Sequence, residues 1–125
     1  MIYFSFDNLA FNSKSSESTI NIVISSKSRY GAPGIFAEAA IGFLDEKIYP
    51  GDGIKDDYPG MKLRAGLYEN IVREWISSLD KIVDIQADNI IRTFRIVTDQ
   101  FDPMRDEYIL ETEDEYIMFL WCTSA

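Results

Sequence analysis

One stretch near the C-terminus constrains the fold more than any other part of the chain. Residues 116–122 read YIMFLWC, with no charged residue and no alternation of polar and apolar positions. A strand with one face in water alternates, whereas a strand covered on both faces is apolar throughout. We therefore expect this stretch to be a central strand of a sheet, with protein packed on each side of it.

A second strand precedes this run and forms a hairpin with it. Residues 107–112 and 115–122 are both strand-like, and Glu113 and Asp114 lie between them. Two strand-like runs separated by a short polar connection are typical of a β-hairpin. The C-terminal part of the chain is therefore predicted to be an antiparallel pair.

The N-terminal part of the chain predicts another antiparallel pair. Residues 2–6 are apolar and aromatic, and residues 19–25 alternate, which indicates a half-buried strand. The buried face of the second strand would carry Ile20, Ile22 and Ile24. Between the two strands, residues 11–19 are rich in serine and form a predicted loop. We expect residues 12–18 to be mobile, because they offer no apolar anchor.

A helix is predicted over residues 61–79. Large apolar residues recur there at every fourth position, at Leu63, Leu67, Ile71 and Trp75. That spacing places them on one face of a helix. Pro59 and Gly60 directly precede the segment and would stop the helix from extending backwards.

The remaining segments leave the choice of element more open. Residues 35–44 are almost entirely apolar and fit a buried strand or a short buried helix, and residues 45–60 read as a long loop. Residues 90–97 slightly favour a strand, after a break near residues 80–84. Together these elements predict a single α+β domain over residues 1–125. Its antiparallel sheet would pack against one main helix through Leu67, Ile71 and Trp75.

Several kinds of chemistry are excluded by composition. The chain contains no histidine, which removes histidine-based triads, histidine general bases and histidine metal sites. Its single cysteine, Cys122, removes intrachain disulfides and cysteine-rich zinc sites. We interpret Cys122 as a small buried apolar residue, and a lone cysteine suits a reducing cytoplasm.

Charge and apolar run length bear on the compartment and on the partners. The N-terminus lacks the basic start and the long apolar stretch of a secretion signal. No apolar run approaches the roughly 20 residues that cross a bilayer. The net charge of −9 disfavours binding to nucleic acid or to an anionic membrane, because both carry negative charge themselves. We therefore expect a cytoplasmic protein that binds neither nucleic acid nor membrane.

No motif predicts catalysis, a metal or a cofactor. The nucleotide-binding patterns GxxxxGK[ST] and GxGxxG do not occur. Asp52, Asp56 and Asp57 offer carboxylates for calcium, but their spacing is not that of an EF-hand, and a solvated acidic turn explains them better. The pattern SxxK occurs at Ser78 and Lys81 without its companion motifs, and a helix end explains it better. We predict no catalytic residue, no metal ligand and no cofactor.

Acidic residues concentrate in one window, residues 99–115. The window contains eight acids and a single base, Arg105, so it carries −7 of the total charge of −9. The candidate partner-binding residues are these eight acids and the one tyrosine inside the window. They are Asp99, Asp102, Asp106, Glu107, Tyr108, Glu111, Glu113, Asp114 and Glu115.

Two interpretations of this window compete. The acids can simply keep the surface soluble and prevent strand edges from aggregating. Alternatively, they form a docking face for a basic protein, since clustered carboxylates accelerate encounter with a positive cleft. Tyr108 and Tyr116 would then add the affinity that charge alone does not supply. A nuclease active site is such a cleft, because it must hold phosphates.

A small acidic chain with the 99–115 acids and Tyr108, and without a catalytic motif, resembles the immunity proteins of bacterial toxin–immunity systems. This class includes the immunity proteins of contact-dependent growth inhibition systems. The resemblance is one of type and no family motif is matched, so it assigns no binding residues. It implies a tight stoichiometric inhibitor that occludes a basic toxin domain, for example a nuclease, at or beside its active site.

Two alternative functions remain open from the residues alone. One is a nucleic-acid mimic whose carboxylates stand in for phosphates, although such mimics usually have denser negative charge than −9. The other is a small enzyme or ligand-binding protein with a pocket lined by core aromatics such as Trp75 and Trp121. Core aromatics are more often packing than pocket. The sequence leaves the oligomeric state open.

Overall fold

The chain forms an antiparallel sheet with one main helix on one of its faces, which confirms the predicted α+β class. The computed structural model describes residues 1–7, 18–68, 72, 73, 76, 85, 87–100, 102 and 105–123. Within them six strands pair in the order β1-β2-β6-β5-β4-β3. The strands are β1 (Ile2–Asp7), β2 (Ser18–Ser26), β3 (Lys62–Gly66), β4 (Arg92–Val97), β5 (Arg105–Glu111) and β6 (Glu115–Thr123). The helix α1 spans Pro33–Phe43.

Strand β6 lies inside the sheet, with β2 on one side and β5 on the other. Met118 and Phe119 are neighbours in sequence and point to opposite faces, and both are fully buried. The prediction of a central strand covered on both faces is therefore confirmed. The predicted hairpin is confirmed as well, since β5 and β6 pair antiparallel and turn at Glu113 and Asp114.

Strands β1 and β2 form the predicted N-terminal pair. The expectation that β2 is half-buried is wrong, because Asn21, Val23 and Ser25 are buried along with the isoleucines of the other face. Burial of a polar residue requires a hydrogen-bond partner. The Tyr3 hydroxyl provides one by donating to Oδ1 of Asn21 at 2.7 Å. The predicted mobile stretch, residues 12–18, lies outside the described residues except for its last position, which begins β2.

The two faces of the sheet each carry an apolar core. On the α1 face, Val23, Ile109 and Met118 pack with the buried side of the helix. On the opposite face, Ile22, Phe119 and their neighbours pack with the buried side chains Val72, Ile76 and Ile85. Both faces of the central strands are thus removed from water.

Residues 35–44, for which the sequence fitted either helix or strand, are helical. Proline in the first turn suits a helix start, because its missing N–H has no partner to lose there. The buried residues of α1 form one stripe, and the small alanines within it permit close approach to the sheet. This stripe consists of Phe36, Ala37, Ala40 and Ile41. The predicted loop over residues 45–60 contains most of a π-helical turn, Leu44–Ile48, and a 3-10 turn, Ile54–Asp57.

The helix predicted over residues 61–79 is wrong at its start. Lys62–Gly66 is the edge strand β3, and Leu67 is 76% exposed and anchors no helix. Further along, Val72 and Ile76 have helical backbone and are buried. The other two residues named as packing anchors, Ile71 and Trp75, lie outside the described residues.

The physical reason is the pairing of β3 with β4, which supplies backbone hydrogen bonds that outweigh the local helical spacing. Leu63 and Leu67 are four residues apart, but only Leu63 reaches the core, on the α1 face beside Ile96. The strand slightly favoured at residues 90–97 is confirmed as β4. No helix in the described part of the chain has the length and apolar character needed to cross a membrane.

Candidate functional site

The predicted partner-binding acids do not lie on one surface. Side chains alternate along β5, so Glu107 and Glu111 point to the α1 face while Asp106 and Tyr108 point to the opposite face. Three of the acids therefore lie within the sheet rather than on a shared docking surface. The others flank β5, whose seven residues separate them by roughly 20 Å.

Glu111 is buried between two cations. Its carboxylate lies 2.5 Å from Nζ of Lys27 and 2.5 Å from Nη2 of Arg92. Burial acts to raise the pKa of Glu111, but the hydrogen bonds and charges of Lys27 and Arg92 outweigh it and lower the pKa. Glu111 therefore ties β5 to β4 and to the 3-10 turn, Lys27–Arg29, that follows β2.

Glu107 is buried on the same face, at 7% exposure. Nε of Arg105 lies 3.4 Å from Oε1 of Glu107 and 3.2 Å from a carboxylate oxygen of Asp102. Burial raises the pKa of Glu107, although the Tyr58 hydroxyl and Arg105 both act to lower it. Asp102 and Glu107 thus share one arginine at the beginning of β5.

Asp106 and Tyr108 lie on the opposite face. Nη2 of Arg95 donates to Oδ1 of Asp106 at 2.9 Å. Burial raises the pKa of Asp106 against the opposing effect of Arg95. The ring of Tyr108 is buried and lies 5.6 Å from the ring of Tyr68. Tyr108 therefore serves the core, and so does Tyr116, which stacks on Phe36.

The exposed acids lie at the two ends of β5. Asp99 is exposed beside Gly60, and its backbone N–H donates to the Pro59 carbonyl at 2.8 Å. At the other end, Glu113, Asp114 and Glu115 are all exposed at the β5–β6 turn. Of the nine predicted residues, only this last group forms a continuous acidic surface.

The acidic turn is held in place by several hydrogen bonds. The Thr112 N–H donates to the Glu115 carbonyl at 2.9 Å, and the Glu115 N–H donates to the Thr112 hydroxyl at 3.0 Å. The Lys27 N–H donates to the Asp114 carbonyl at 2.8 Å. A turn fixed in this way loses little backbone conformational entropy when a partner binds.

Beside this turn is a groove of about 650 Å³ on the face opposite α1. Its floor is apolar and includes two residues that are more than half exposed, Ile2 at 56% and Ile91 at 59%. Its rim is acidic, because Asp88 joins the carboxylates of the turn. We call this the acid-rimmed groove, with floor residues Ile2, Phe4, Ile24, Ile85, Ile91 and Ile117 and rim residues Asp88, Asn89, Thr112, Glu113, Asp114 and Glu115.

Two cations among the described residues, Arg73 and Lys27, come close to the rim. Arg73 lies 3.9 Å from Asp88, but both side chains are at least half exposed, so this pair contributes little. Nζ of Lys27 pairs with Glu111 on the other face, and it also donates to the carbonyl of the rim residue Thr112 at 3.3 Å. The described residues contain no cluster of acids and cysteines that could hold a metal ion.

Sequence reasoning found the acidic turn but missed Ile2, Asp88 and Ile91. Ile2 belongs to a correctly predicted strand, yet nothing in the sequence separates an exposed isoleucine from a buried one. Asp88 and Ile91 reach the turn because the Ile91 N–H donates to the Glu111 carbonyl at 2.8 Å, a contact between distant segments.

Comparison of the chain with protein-family models, with curated protein sequences and with solved structures found no match.

Proposed function

We propose that this chain is a binding protein that neutralises a basic protein partner by docking it in the acid-rimmed groove. The observation that carries the proposal is the juxtaposition of two exposed isoleucines on the groove floor, Ile2 and Ile91, with four exposed carboxylates on its rim. Apolar side chains exposed next to one another mark interaction sites. Together with a charged rim they match the usual anatomy of a protein interface, in which an apolar centre is surrounded by polar residues.

The floor and the rim have different tasks in this proposal. Ile2 and Ile91 supply affinity, because binding energy concentrates in a few desolvated apolar contacts. The carboxylates of Glu113, Asp114 and Glu115 supply steering and partner choice, because surface charges act mainly on the association rate and on specificity. A partner with a positive surface around an apolar segment fits both.

Among basic proteins, a bacterial toxin domain is the partner we propose, and a nuclease is the favoured activity. The reasons are the small size of the chain, its net charge of −9 and the type of protein that this profile resembles. A nuclease presents a positive cleft for phosphates, and occlusion of that cleft by carboxylates would block it. The chain would then act in the cytoplasm of the cell that it protects.

The test is binding to the toxin domain encoded beside this chain, with charge reversal at the turn. The triple variant Glu113→Lys, Asp114→Lys and Glu115→Lys should reduce the association rate by about tenfold or more at low salt. The wild-type rate itself should fall as salt shortens the Debye length to about 8 Å. Stopped-flow fluorescence measures both.

A matched control changes the net charge equally at exposed acids away from the groove: Glu38→Lys, Glu46→Lys and Asp56→Lys. This control should slow association much less than the turn variant. If both variants slowed association equally, the effect would be due to net charge, and the interface would not be at the groove. A neighbouring toxin domain that the wild-type chain neither binds nor inhibits would reject the toxin partner.

A further inference from the structure

Strand β1 forms one edge of the sheet and is open to another strand. Among the described strands only β2 pairs with it, in an unbroken register. Residues 2–6 read IYFSF and carry no charge, and the only charged residue of the strand is its last, Asp7. Proteins usually protect a sheet edge with charged side chains or proline, because an unprotected edge pairs with another chain.

The opposite edge of the sheet, β3, is protected. It has five residues, and two of them, Lys62 and Arg64, are charged and exposed. Charged side chains in the middle of an edge strand oppose strand addition. The described sheet therefore has one open edge and one closed edge. Pairing of two open edges is complete at two copies, because each copy has used the only edge it offers.

The hydrogen-bond pattern of the sheet shows which backbone groups of β1 point outward. The Lys27 N–H donates to the Asp114 carbonyl, one position beyond the last pair of β2 and β6. Bonding alternates along an antiparallel strand, so the odd-numbered residues of β2 bond to β6 and the even-numbered ones bond to β1. Even-numbered residues of β2 oppose even-numbered residues of β1. The N–H and C=O groups of Tyr3 and Ser5 therefore point away from the sheet.

A row of apolar side chains follows the same edge on the face opposite α1. Ile2 is 56% exposed, and Phe4 and Phe6 are partly buried, with ring centroids 6.1 Å apart. Toward an added strand these three residues occupy the positions that form no backbone hydrogen bond. Opposed side chains lie closest at such positions, where the Cα atoms are about 4.5 Å apart. An added strand with apolar residues at the same positions would contact all three.

We propose that two copies of this chain associate through β1, antiparallel, about a two-fold axis at Phe4. In this register Phe4 opposes its counterpart, and Ile2 opposes Phe6 of the second copy. Tyr3 of each copy and Ser5 of the other exchange backbone hydrogen bonds. Aromatic pairs and pairs of an aromatic with a β-branched residue are favourable across strands. The two six-stranded sheets become one continuous sheet.

The composition of β1 favours a second copy as the occupant. Each chain carries a net charge of −9, so a charged residue within the paired stretch would bring like charges together, and residues 2–6 contain none. The register places the two Asp7 positions roughly 20 Å apart, beyond the Debye length of about 8 Å. The second copy lies on the side of β1 away from β2, whereas the acidic turn lies between β5 and β6. The rim of the acid-rimmed groove stays uncovered, so this proposal is independent of the proposed function.

Sedimentation equilibrium of the full chain tests the association. We expect a monomer–dimer equilibrium with a dissociation constant of about 10–100 µM, because one strand pair buries less than the roughly 1,200–2,000 Å² of a stable interface. A chain that remains monomeric up to about 1 mM would overturn the proposal. Assembly that continues beyond the dimer would also overturn it, since the two-fold contact closes at two copies.

Ser5→Pro tests the backbone contact. Proline removes the outward N–H of Ser5, and an edge strand tolerates proline where the N–H faces solvent. Dimerisation should weaken at least about tenfold, because each copy loses a hydrogen bond. The control Ser5→Ala keeps the N–H and should dimerise within about twofold of wild type. Circular dichroism checks that both variants fold, and undiminished dimerisation of folded Ser5→Pro would place the contact elsewhere.

Disulfide trapping tests the register and remains decisive if Ser5→Pro does not fold. Phe4→Cys and Ile2→Cys are compared, each combined with Cys122→Ser. The two Phe4 positions lie about 4.5 Å apart between Cα atoms, within reach of a disulfide, whereas the two Ile2 positions are about 14 Å apart. Under mild oxidation Phe4→Cys should form covalent dimers at least about fivefold faster. Random collision would favour the more exposed Ile2→Cys, and that result would refute the register.

Discussion

Glu111 and Glu113 are two residues apart, yet they occupy opposite kinds of environment. Glu111 is buried and lies within 2.5 Å of two cations, whereas Glu113 is exposed at the rim of the acid-rimmed groove. A buried carboxylate with two cationic partners strengthens the fold, because charge-assisted hydrogen bonds offset the hydration that the carboxylate loses. An exposed carboxylate contributes little to stability and remains available to a partner. Residue type alone therefore does not identify a docking surface.

The largest expected effect is the loss of the buried pair. Glu111→Gln should lower the free energy of unfolding by about 2 kcal/mol, because charge-assisted hydrogen bonds to Lys27 and Arg92 are lost. Both cations reach solvent, which keeps the loss below that of a fully buried pair. Glu113→Gln is the matched control and should stay within about 0.5 kcal/mol of wild type. Urea denaturation measures the free energy of unfolding of both variants. Equal losses would contradict the difference in environment between Glu111 and Glu113.

The next effect concerns the floor of the groove. Ile91→Ala should weaken binding of the basic partner by about 1–2 kcal/mol, or roughly tenfold, because it removes an apolar anchor. Stability should change little, since Ile91 is already 59% exposed. Ile35→Ala is a suitable control, being similarly exposed but on α1. Calorimetric titration measures the affinities, and the same loss from both variants would contradict the assignment of the groove.

The pH dependence of stability should separate Glu111 from Glu107, which lie on the same face. The pKa of Glu111 is lowered below its ordinary value of 4.5, so its ionised form stabilises the fold above 4.5. This contribution disappears as the pH falls through the lowered folded pKa. The stability difference between wild type and Glu111→Gln should therefore shrink between about pH 5 and pH 3. A difference that is constant over this range would contradict the lowered pKa.

Glu107 should show the opposite sign. Burial raises its pKa above 4.5, so the folded state favours its protonated form. The stability that this preference contributes is present below 4.5 and is lost as the pH rises through the raised folded pKa. Relative to wild type, Glu107→Gln should therefore become more stable as the pH rises from about 4 to about 7. Thermal unfolding at several pH values measures this trend. A trend in the other direction would contradict the raised pKa of Glu107.

The smallest effect is that of a single rim charge. Glu113→Gln should slow association with the basic partner by about twofold at low salt and leave dissociation unchanged, as expected for an exposed steering charge. Glu46→Gln, exposed on the other side of the molecule, should have no measurable effect. An increase in the dissociation rate of the Glu113 variant would mean that this carboxylate is desolvated in the complex.

Much of the fold followed from local sequence pattern. The run at residues 116–122 predicted a central strand, and the polar pair Glu113 and Asp114 predicted the hairpin turn. Both predictions held because a continuous apolar run and a polar turn are each encoded in neighbouring residues. The helical spacing of Leu63 and Leu67 failed for the complementary reason. Pairing with β4, about 30 residues away, decided that segment as a strand.

The same distinction between local sequence pattern and long-range contacts applies to the acidic residues. The sequence by itself determined that negative charge concentrates between residues 99 and 115, since charge is a property of composition. The tertiary structure decided which acids are paired, because Lys27 reaches Glu111 from the 3-10 turn after β2 and Arg92 reaches it from β4. It also brought Ile2 and Ile91 to the exposed turn from distant segments. A site that combines an apolar floor with a charged rim depends on such long-range contacts, which local sequence pattern does not encode.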